Sequence, residues 1–541
     1  MNDVTTNSTG CNALLVYPRF NRDSFWNFRE TCEIVGAKHP APPLGLITVA
    51  ALLPPDWNVK LVDCNTETLE DHHLDWADLV MTGGMLSQEV ETRRILERCK
   101  SLGVISVVGG PDATSSPQRY EMADFKVLGE AESIIGDFVE AWRSGARSGT
   151  FTAEKFTTDV TKSPIPRFDL LELKSYTNIG VQFSRGCPFI CEFCDIIELF
   201  GRIPRAKTNA QMLTELQTLY DRGYRGVVDF VDDNIIGNKK ALKAFLVELA
   251  AWQKSHGCPF SLSTEASLNI ADDDELLSMM SACGFYQVFI GIESPNADVL
   301  NATRKKQNAR RDIVASIHKI YAAGLFVFAG FIVGFDAEQS SVADEIIDLI
   351  EEAAITVAMV GLLMALPNTQ LCRRLAAEGR LRDVYEEEDG LGMGGDQCIH
   401  GLNFDTLRPR SEILADYRAI IAHIYDPDVY QARILRMLKL IKPPHFPIFT
   451  SGLPGELVQL RRLAWNITVH RPAVRGMFWR IILEGLLRGP HALRPAIQPV
   501  AFYLHLGSYA RDIVRLIDAK LIALTDRQVT ERPLAVQNAG R

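Results

Sequence analysis

The sequence predicts an α/β protein in three parts: an N-terminal doubly wound, Rossmann-like domain over residues 11–145, a central partial (β/α)6 barrel over 176–366, and an α-helical C-terminal region over 367–541. Three observations predict it. Short apolar runs alternate with amphipathic helical stretches through the first 366 residues, the pattern of parallel strands joined by crossover helices. Residues 146–175 interrupt that alternation with Ser, Gly and Thr, then Pro164 and Pro166, which favour extended chain, and are assigned to a linker. From Pro367 onward strand-like runs give way to stretches of helical period alone.

Length and charge bound the function. A chain of 541 residues exceeds one core's usual size, so two or three domains are expected. The longest apolar runs, at 325–335 and 353–366, fall short of the eighteen or so residues that span a bilayer and read as buried strands. Eleven cysteines without a pairing rhythm, and no positively charged start followed by an apolar stretch, place the chain in a reducing cytoplasm. From Arg461 to the end, thirteen Lys/Arg stand against five Asp/Glu, so the net charge of −10 divides into +8 there and −18 before it. The acidic bulk argues against nucleic acid as a partner.

In the N-terminal part the strands are read at 13–17, 59–62, 79–81, 104–108 and 125–127, with helices at 44–53, 87–102 and 130–142. In doubly wound sheets ligands bind beyond the carboxyl ends of the strands. The residues there are small or polar: Gly83, Gly84 and Ser87 after the third strand, Gly109, Gly110 and Pro111 after the fourth, Gly129 and Glu130 after the fifth. Glycines at such ends let a ligand approach the backbone, although tight turns alone also require them.

The central part carries the most specific signal. Cys187, Cys191 and Cys194 stand at C-x3-C-x2-C directly after an apolar strand at 179–183. Three thiolates in one loop are metal or cluster ligands. A [4Fe–4S] cluster ordinarily takes four cysteines, and the next Cys or His after Cys194 is His256, so one iron is left open. A structural zinc, the alternative, needs four closed ligands. Further strands are read at 226–231, 260–264, 287–292, 325–333 and 355–363, with helices at 210–222, 239–256, 273–282, 308–323 and 339–352. These make six βα units, whose chemistry belongs at the strand carboxyl ends. Asp232, Asp233, Asn234, Glu265, Glu293, Ser294, Gly330 and Ile332 occupy those ends. Capping a helix, or for Glu293 pairing with an arginine such as Arg304, is the competing use of the carboxylates.

The cysteine loop resembles that of the radical S-adenosylmethionine (SAM) superfamily position for position. The resemblance implies a [4Fe–4S] cluster on Cys187, Cys191 and Cys194, with SAM on the open iron and Phe193 packed near the adenine. It further implies that Asp232, Asp233 and Asn234 receive the SAM amino group, Glu265 the ribose, and Gly330 and Ile332 the adenine, with Glu293 and Ser294 at the strand end between. The stretches 42–46 (Pro-Pro-Leu-Gly-Leu), Gly83-Gly84, 108–111 (Val-Gly-Gly-Pro) and 129–132 (Gly-Glu-Ala-Glu) resemble the cobalamin-binding domain fused to many of these enzymes. That resemblance implies corrinoid contacts at Gly83, Gly84, Ser87, Gly109, Gly110, Pro111, Gly129 and Glu130. The broader family's Asp-x-His-x-x-Gly is replaced here by Asp63-Cys64-Asn65, so cobalamin without a protein histidine on cobalt is expected. His72 and His73 read as surface residues. With the opening segments 17–20 and 24–28 and the helical tail, the chain looks most like the hopanoid C-2 methylase group and its relatives that methylate chlorophyll-type pigments.

What that resemblance implies is cobalamin-dependent methyl transfer to an unactivated carbon of a small apolar substrate, hopanoid-like or tetrapyrrole. A 5′-deoxyadenosyl radical takes hydrogen, the substrate radical takes methyl from methylcobalamin, and a donor such as flavodoxin or ferredoxin supplies the electron. The rivals are a radical SAM oxidative cyclase of tetrapyrrole type and a non-catalytic iron–sulfur or corrinoid sensor. The C-terminal region is read as helices at 371–382, 411–425, 461–487 and 493–524, with a Gly-rich loop at 389–395, and mixes Arg with Trp465, Phe478, Trp479, Phe502 and Tyr503. Two readings stand for it. It covers the open side of the barrel, favoured by core-like spacing, or it touches anionic lipid and makes a cytoplasmic enzyme membrane-associated.

Overall fold

The protein is described from a computed structural model over residues 10–21, 24–382, 397–444, 446 and 453–537, so the Gly-rich loop at 389–395 lies outside the described residues. Contacts divide the chain into two compact units: Met1–Asn27, Gly36–Pro188 and Asp195–Trp252 form the first, and Phe28–Val35, Phe189–Cys194 and Gln253–Arg541 the second.

The first unit opens with strands β1 (Asn12–Tyr17), β2 (Asn58–Asp63), β3 (Leu79–Gly83), β4 (Ile105–Gly109), β5 (Phe125–Leu128) and β6 (Gly149–Thr152), in the order β2-β1-β3-β4-β5-β6 with every pairing parallel. Side chains alternate across a strand, and here both faces are buried. Ala13 and Leu15 of β1 pack with Ala50 and Phe138 from the helices Leu44–Leu52 and Ile135–Arg143. Leu14 and Val16 pack with Leu74, Ile95 and Cys99 on the opposite face, from the helices Asp71–Trp76 and Glu89–Leu102. Each such aliphatic side chain contributes roughly 1.5–3 kcal/mol when fully buried, which is why the strands read as unbroken apolar runs. Five strands were expected and six are present: Gly149–Thr152, within the stretch assigned to a linker, pairs with β5 as an edge strand. Its short Gly-Thr-Phe-Thr run lacks the apolar density that flags a central strand.

All six strands expected for the central part form: β7 (Asn178–Val181), then, beyond the antiparallel pair β8 (Ser184–Arg185) and β9 (Arg205–Ala206), β10 (Val227–Phe230), β11 (Ser261–Ala266), β12 (Phe285–Glu293), β13 (Phe326–Val333) and β14 (Val357–Leu362). The sheet order is β14-β13-β12-β11-β10-β7. Helices alternate with these strands, at Asn209–Asp221, Lys239–Ser255, Asp274–Cys283, Ile313–Ala322 and Ala343–Glu352. Six parallel strands fall short of the eight that close a barrel.

In the second unit the helices Arg410–Ile424, Pro427–Leu440, Leu453–His470, Pro472–Arg488 and Pro490–Gln537 follow the strands. The stretch expected as one helix at 461–487 is two, because Pro472 cannot donate a backbone hydrogen bond and starts a new helix at its first turn. The last helix lies on the sheet: Arg494 donates to Ser261 at 2.8 Å and sits 4.1 Å over the Tyr286 ring, Gln498 bonds Gln287 at 2.8 Å, and Phe502 meets Phe328 at 5.2 Å. The helix Arg29–Val35 joins it there, with Thr31 donating to the Ala501 carbonyl at 2.7 Å and Glu30 bonding His505 at 2.9 Å. Among the described residues no helix is long and apolar enough to cross a membrane.

Candidate active site

In the first sheet the order reverses between β1 and β3, the point where doubly wound sheets take their ligands. The Thr82 hydroxyl donates to the Val16 carbonyl at 2.9 Å, and Gln88 donates to the Pro18 carbonyl at 2.6 Å, so the ends of these strands are tied level. Gly83 pairs with Gly109 in register. A Cβ on Gly83 would stand 2.2 Å from the Gly109 carbonyl oxygen, so no side chain fits and the edge presents bare backbone. Gly84, Gly110 and Gly129 continue that edge, with Ser87 half-buried and Pro111 exposed beside it. Asp112, which sequence reasoning passed over, lies beneath: burial pushes its carboxyl up to about 6, and the Tyr120 hydroxyl donates to it.

At the end of β2, Asn65 is committed to the chain. Its side chain donates to Asp63 at 2.8 Å and to the Pro18 carbonyl at 3.2 Å, and its oxygen accepts from the Phe20 amide at 2.9 Å. Asp63 also accepts from the Tyr176 hydroxyl at 2.8 Å, and burial raises its carboxyl above the ordinary range. An amide suits this knot because it donates and accepts at once without charge. His72 lies exposed and His73 half-buried on the helix Asp71–Trp76.

The cysteine loop runs from the first unit, which holds Cys187, into the second, which holds Cys191 and Cys194. None of the three is in a disulfide. In the first unit Asp232 anchors the approach: its carboxylate accepts from the Phe183 amide at 2.9 Å, from the Ser184 hydroxyl at 2.6 Å and from the Ser184 amide. Burial nevertheless pushes it up to about 7. Asp233 accepts from the Gly186 amide at 2.9 Å, and burial pushes it up to about 6. Gly186 has φ +96°, and a Cβ there would stand 2.9 Å from the Gly201 carbonyl, so the turn into Cys187 requires glycine. Asn234 aims its side-chain nitrogen at the Cys187 sulfur, 3.7 Å away. Arg185, one residue before the turn, bonds Glu130 at 3.0 Å and Glu132 at 2.6 Å, and Arg205 bonds Glu130 at 2.8 Å. Glu130, two residues beyond the end of β5, therefore has both its oxygens accepting from arginine.

In the second unit Glu192 fixes the middle of the loop. Its amide donates to the Thr303 carbonyl at 3.1 Å, its carbonyl accepts from Leu371 at 2.9 Å, and its carboxylate meets Arg374 at 2.8 Å. Arg374 and Arg380 share Asp336, at 2.9 and 2.6 Å. Phe193 lies 5.7 Å from Phe335. Glu293 pairs with Lys305 at 2.7 Å rather than with Arg304, which donates to Gln370 instead at 2.6 Å. Burial opposes the Lys305 charge, but Glu293 and the thiolates of Cys191 and Cys194 outweigh it and hold its ammonium well above its ordinary range. Gln307 stands 3.8 Å from the Cys191 sulfur. Glu265 is exposed at the end of β11, Ser294 is buried and accepts from Asn296, and Ile332 is half-buried near the end of β13. A Cβ on Gly330 would approach the Phe289 ring to 3.0 Å. Lys305, Gln307 and Arg374 escaped sequence reasoning because nothing local marks them; Gln307 and Arg374 meet Cys191 and Glu192 more than a hundred residues away.

Among the described residues no three His, Cys, Asp or Glu side chains gather closely enough for a single ion. A four-iron cube takes thiolates on its iron corners; in the first unit an amide donor on the Cys187 sulfur, and in the second an amide donor on the Cys191 sulfur with the buried Lys305 ammonium, each suit such a cluster's net negative charge. The side-chain-free edge at Gly83 and Gly109 suits a flat corrinoid by the same test.

Comparison with known proteins agrees. Residues 34–139 match the B12 binding domain, 181–360 the radical SAM superfamily, and 369–519 a domain of unknown function (DUF4070). The chain is 43% identical to an uncharacterized methyltransferase of Synechocystis sp., over 93% of this chain and 92% of the relative. It is 33% identical to the hopanoid C-2 methylase of Rhodopseudomonas palustris, over 93% and 94%. A bacteriochlorophyllide d C-12(1)-methyltransferase of Chlorobaculum tepidum is 24% identical over 63% and 75%. Among solved structures, the radical SAM methyltransferase TsrM of Kitasatospora setae, with cobalamin and a [4Fe–4S] cluster bound, shares the fold at TM-score 0.58 and 14% identity, over 84% of this chain and 99% of that one.

Proposed function

Because the chain belongs to the cobalamin-dependent radical SAM methyltransferases, enzymes that use a [4Fe–4S] cluster, SAM and cobalamin, we propose that it methylates an unactivated carbon of an apolar ring substrate, hopanoid-like or tetrapyrrole. The observation that carries this reading is the 33% identity to a hopanoid C-2 methylase along nearly the whole of both chains. When bound, the cofactors supply hydrogen abstraction and a methyl group; the protein holds and orients them. Cys187, Cys191 and Cys194 ligate the cluster, with Asn234 and Gln307 aimed at two of the sulfurs. Asp232 and Asp233 shape the loop through its backbone amides. In this reading Phe193, Asn234, Glu265, Glu293, Ser294, Gly330 and Ile332 line the SAM side, and the glycine edge with Ser87, Pro111 and Glu130 lines the corrinoid side. Flavodoxin or ferredoxin delivers the electron, and the basic C-terminal region meets the lipid surface where an apolar substrate resides. The test is anaerobic reconstitution followed by turnover with methyl-labelled SAM and a hopanoid or a porphyrin. Label in the product supports methylation; SAM cleavage with an unlabelled, ring-closed product refutes it in favour of the oxidative cyclase.

A further inference from the structure

We propose that the helices Leu453–His470 and Pro472–Arg488 form a hairpin that docks the enzyme peripherally on an anionic lipid surface. On their inner sides Ile467, Phe478 and Ile481 are fully buried, so each helix already has a core face. The opposite side of a helix at a protein surface is ordinarily polar. Here it is not: Trp465 is 67% exposed and Leu487 75%, with Trp479, Leu483 and Leu486 about half exposed between them. Positions 479, 483, 486 and 487 recur at helical spacing, so these side chains share one stripe. Single exposed apolar residues are normal, but a stripe of this kind marks an interaction surface.

Charge names the partner. Residues 453–488 contain six arginines and two glutamates, and one of those, Glu484, is occupied by Arg488 at 2.7 Å. Arg461, Arg462, Arg475 and Arg480 are exposed among the apolar residues. Trp and Leu flanked by Arg on a helix that cannot span the bilayer is the composition of an interfacial helix. Trp479 donates to Thr468 at 3.1 Å, which ties the two helices into one hairpin. The proposal rests on the methylation reading only in giving the lipid a purpose; the hairpin itself is read from its own residues.

The test is co-sedimentation of the full-length, cofactor-loaded enzyme with vesicles of phosphatidylcholine, and of phosphatidylcholine mixed with phosphatidylglycerol, without substrate. The expected result is binding to the mixed vesicles about tenfold tighter than to phosphatidylcholine alone, release by high salt, and a blue shift of tryptophan emission. Leu486→Glu with Leu487→Glu weakens binding by at least about tenfold while leaving the cofactor spectra and methyl transfer to detergent-dispersed substrate unchanged. Enzyme that stays in the supernatant, binds both vesicles equally, or binds undiminished in the double variant overturns the proposal. So does a dimer in sedimentation that the double variant dissolves, since a second copy then covers the stripe. The vesicles hold no substrate, so failure here leaves methyl transfer standing, and failure of label transfer leaves docking standing.

Discussion

The ion pair of Arg185 with Glu132 gives the sharpest energetic prediction, because it ties the entrance of the cysteine loop to the end of β5. Burial alone would raise the Glu132 carboxyl. The Arg185 hydrogen bond at 2.6 Å and its charge, helped by the Ser163 hydroxyl at 2.7 Å, instead hold it down to about 2, against an ordinary 4.5. That difference corresponds to about 3 kcal/mol. The two side chains are only 13% and 8% exposed, so solvent screens little of it. Ser163 and the Glu132 backbone carry part of the net effect while burial opposes it, so the Arg185 coupling is at least about 2 kcal/mol. The experiment is a double-mutant cycle over Arg185→Gln and Glu132→Gln, read as opening free energies by native-state hydrogen exchange in the first unit. A depressed carboxyl contributes stability that is complete above its unfolded value and is lost as pH falls through its folded one. The coupling is therefore full at pH 7 and shrinks between about 4.5 and about 2. Additivity of the two variants within about 0.5 kcal/mol at pH 7 would refute the reasoning.

Gly83→Ala places a methyl 2.2 Å from a backbone oxygen that cannot yield; we expect at least about 2 kcal/mol of destabilisation and loss of bound corrinoid, measured by urea midpoint and visible absorbance. Lys305→Met strands the buried Glu293 and costs about 3–5 kcal/mol, whereas adding Glu293→Gln recovers most of it; thermal unfolding of the single and double variants checks this. Asn65→Ala removes side-chain bonds to Asp63, Pro18 and Phe20 and costs about 2 kcal/mol. In the parent protein the EPR spectrum of cobalt(II) cobalamin should carry no nitrogen splitting from a protein imidazole, and such a splitting would contradict the role given to Asn65.

Legibility differed from element to element for physical reasons. The strands of both sheets showed because a parallel strand buried on two faces must be apolar along its length, as Leu79–Gly83 and Val357–Leu362 are. The edge strand Gly149–Thr152 was hidden because an edge needs no such density. Asp232 and Asp233 were legible as polar strand ends, but that they would accept the amides of Phe183, Ser184 and Gly186 was not, since those donors lie nearly fifty residues away. Glu293 was expected beside a cation and Arg304 was the nearer candidate; packing chose Lys305.

By itself the sequence determined the alternation of strands and helices, the three-thiolate loop and the glycines at the strand ends, because periodicity, ligand chemistry and backbone freedom are local properties. Only the tertiary structure decided which distant charges share a dielectric: Arg185 with Glu130 and Glu132, Lys305 with Glu293 and two cysteines, Glu192 with Arg374. It also decided that the C-terminal helices bury one apolar face and leave another in water. Pairing and burial depend on where chain segments meet in space, and sequence separation carries no record of that.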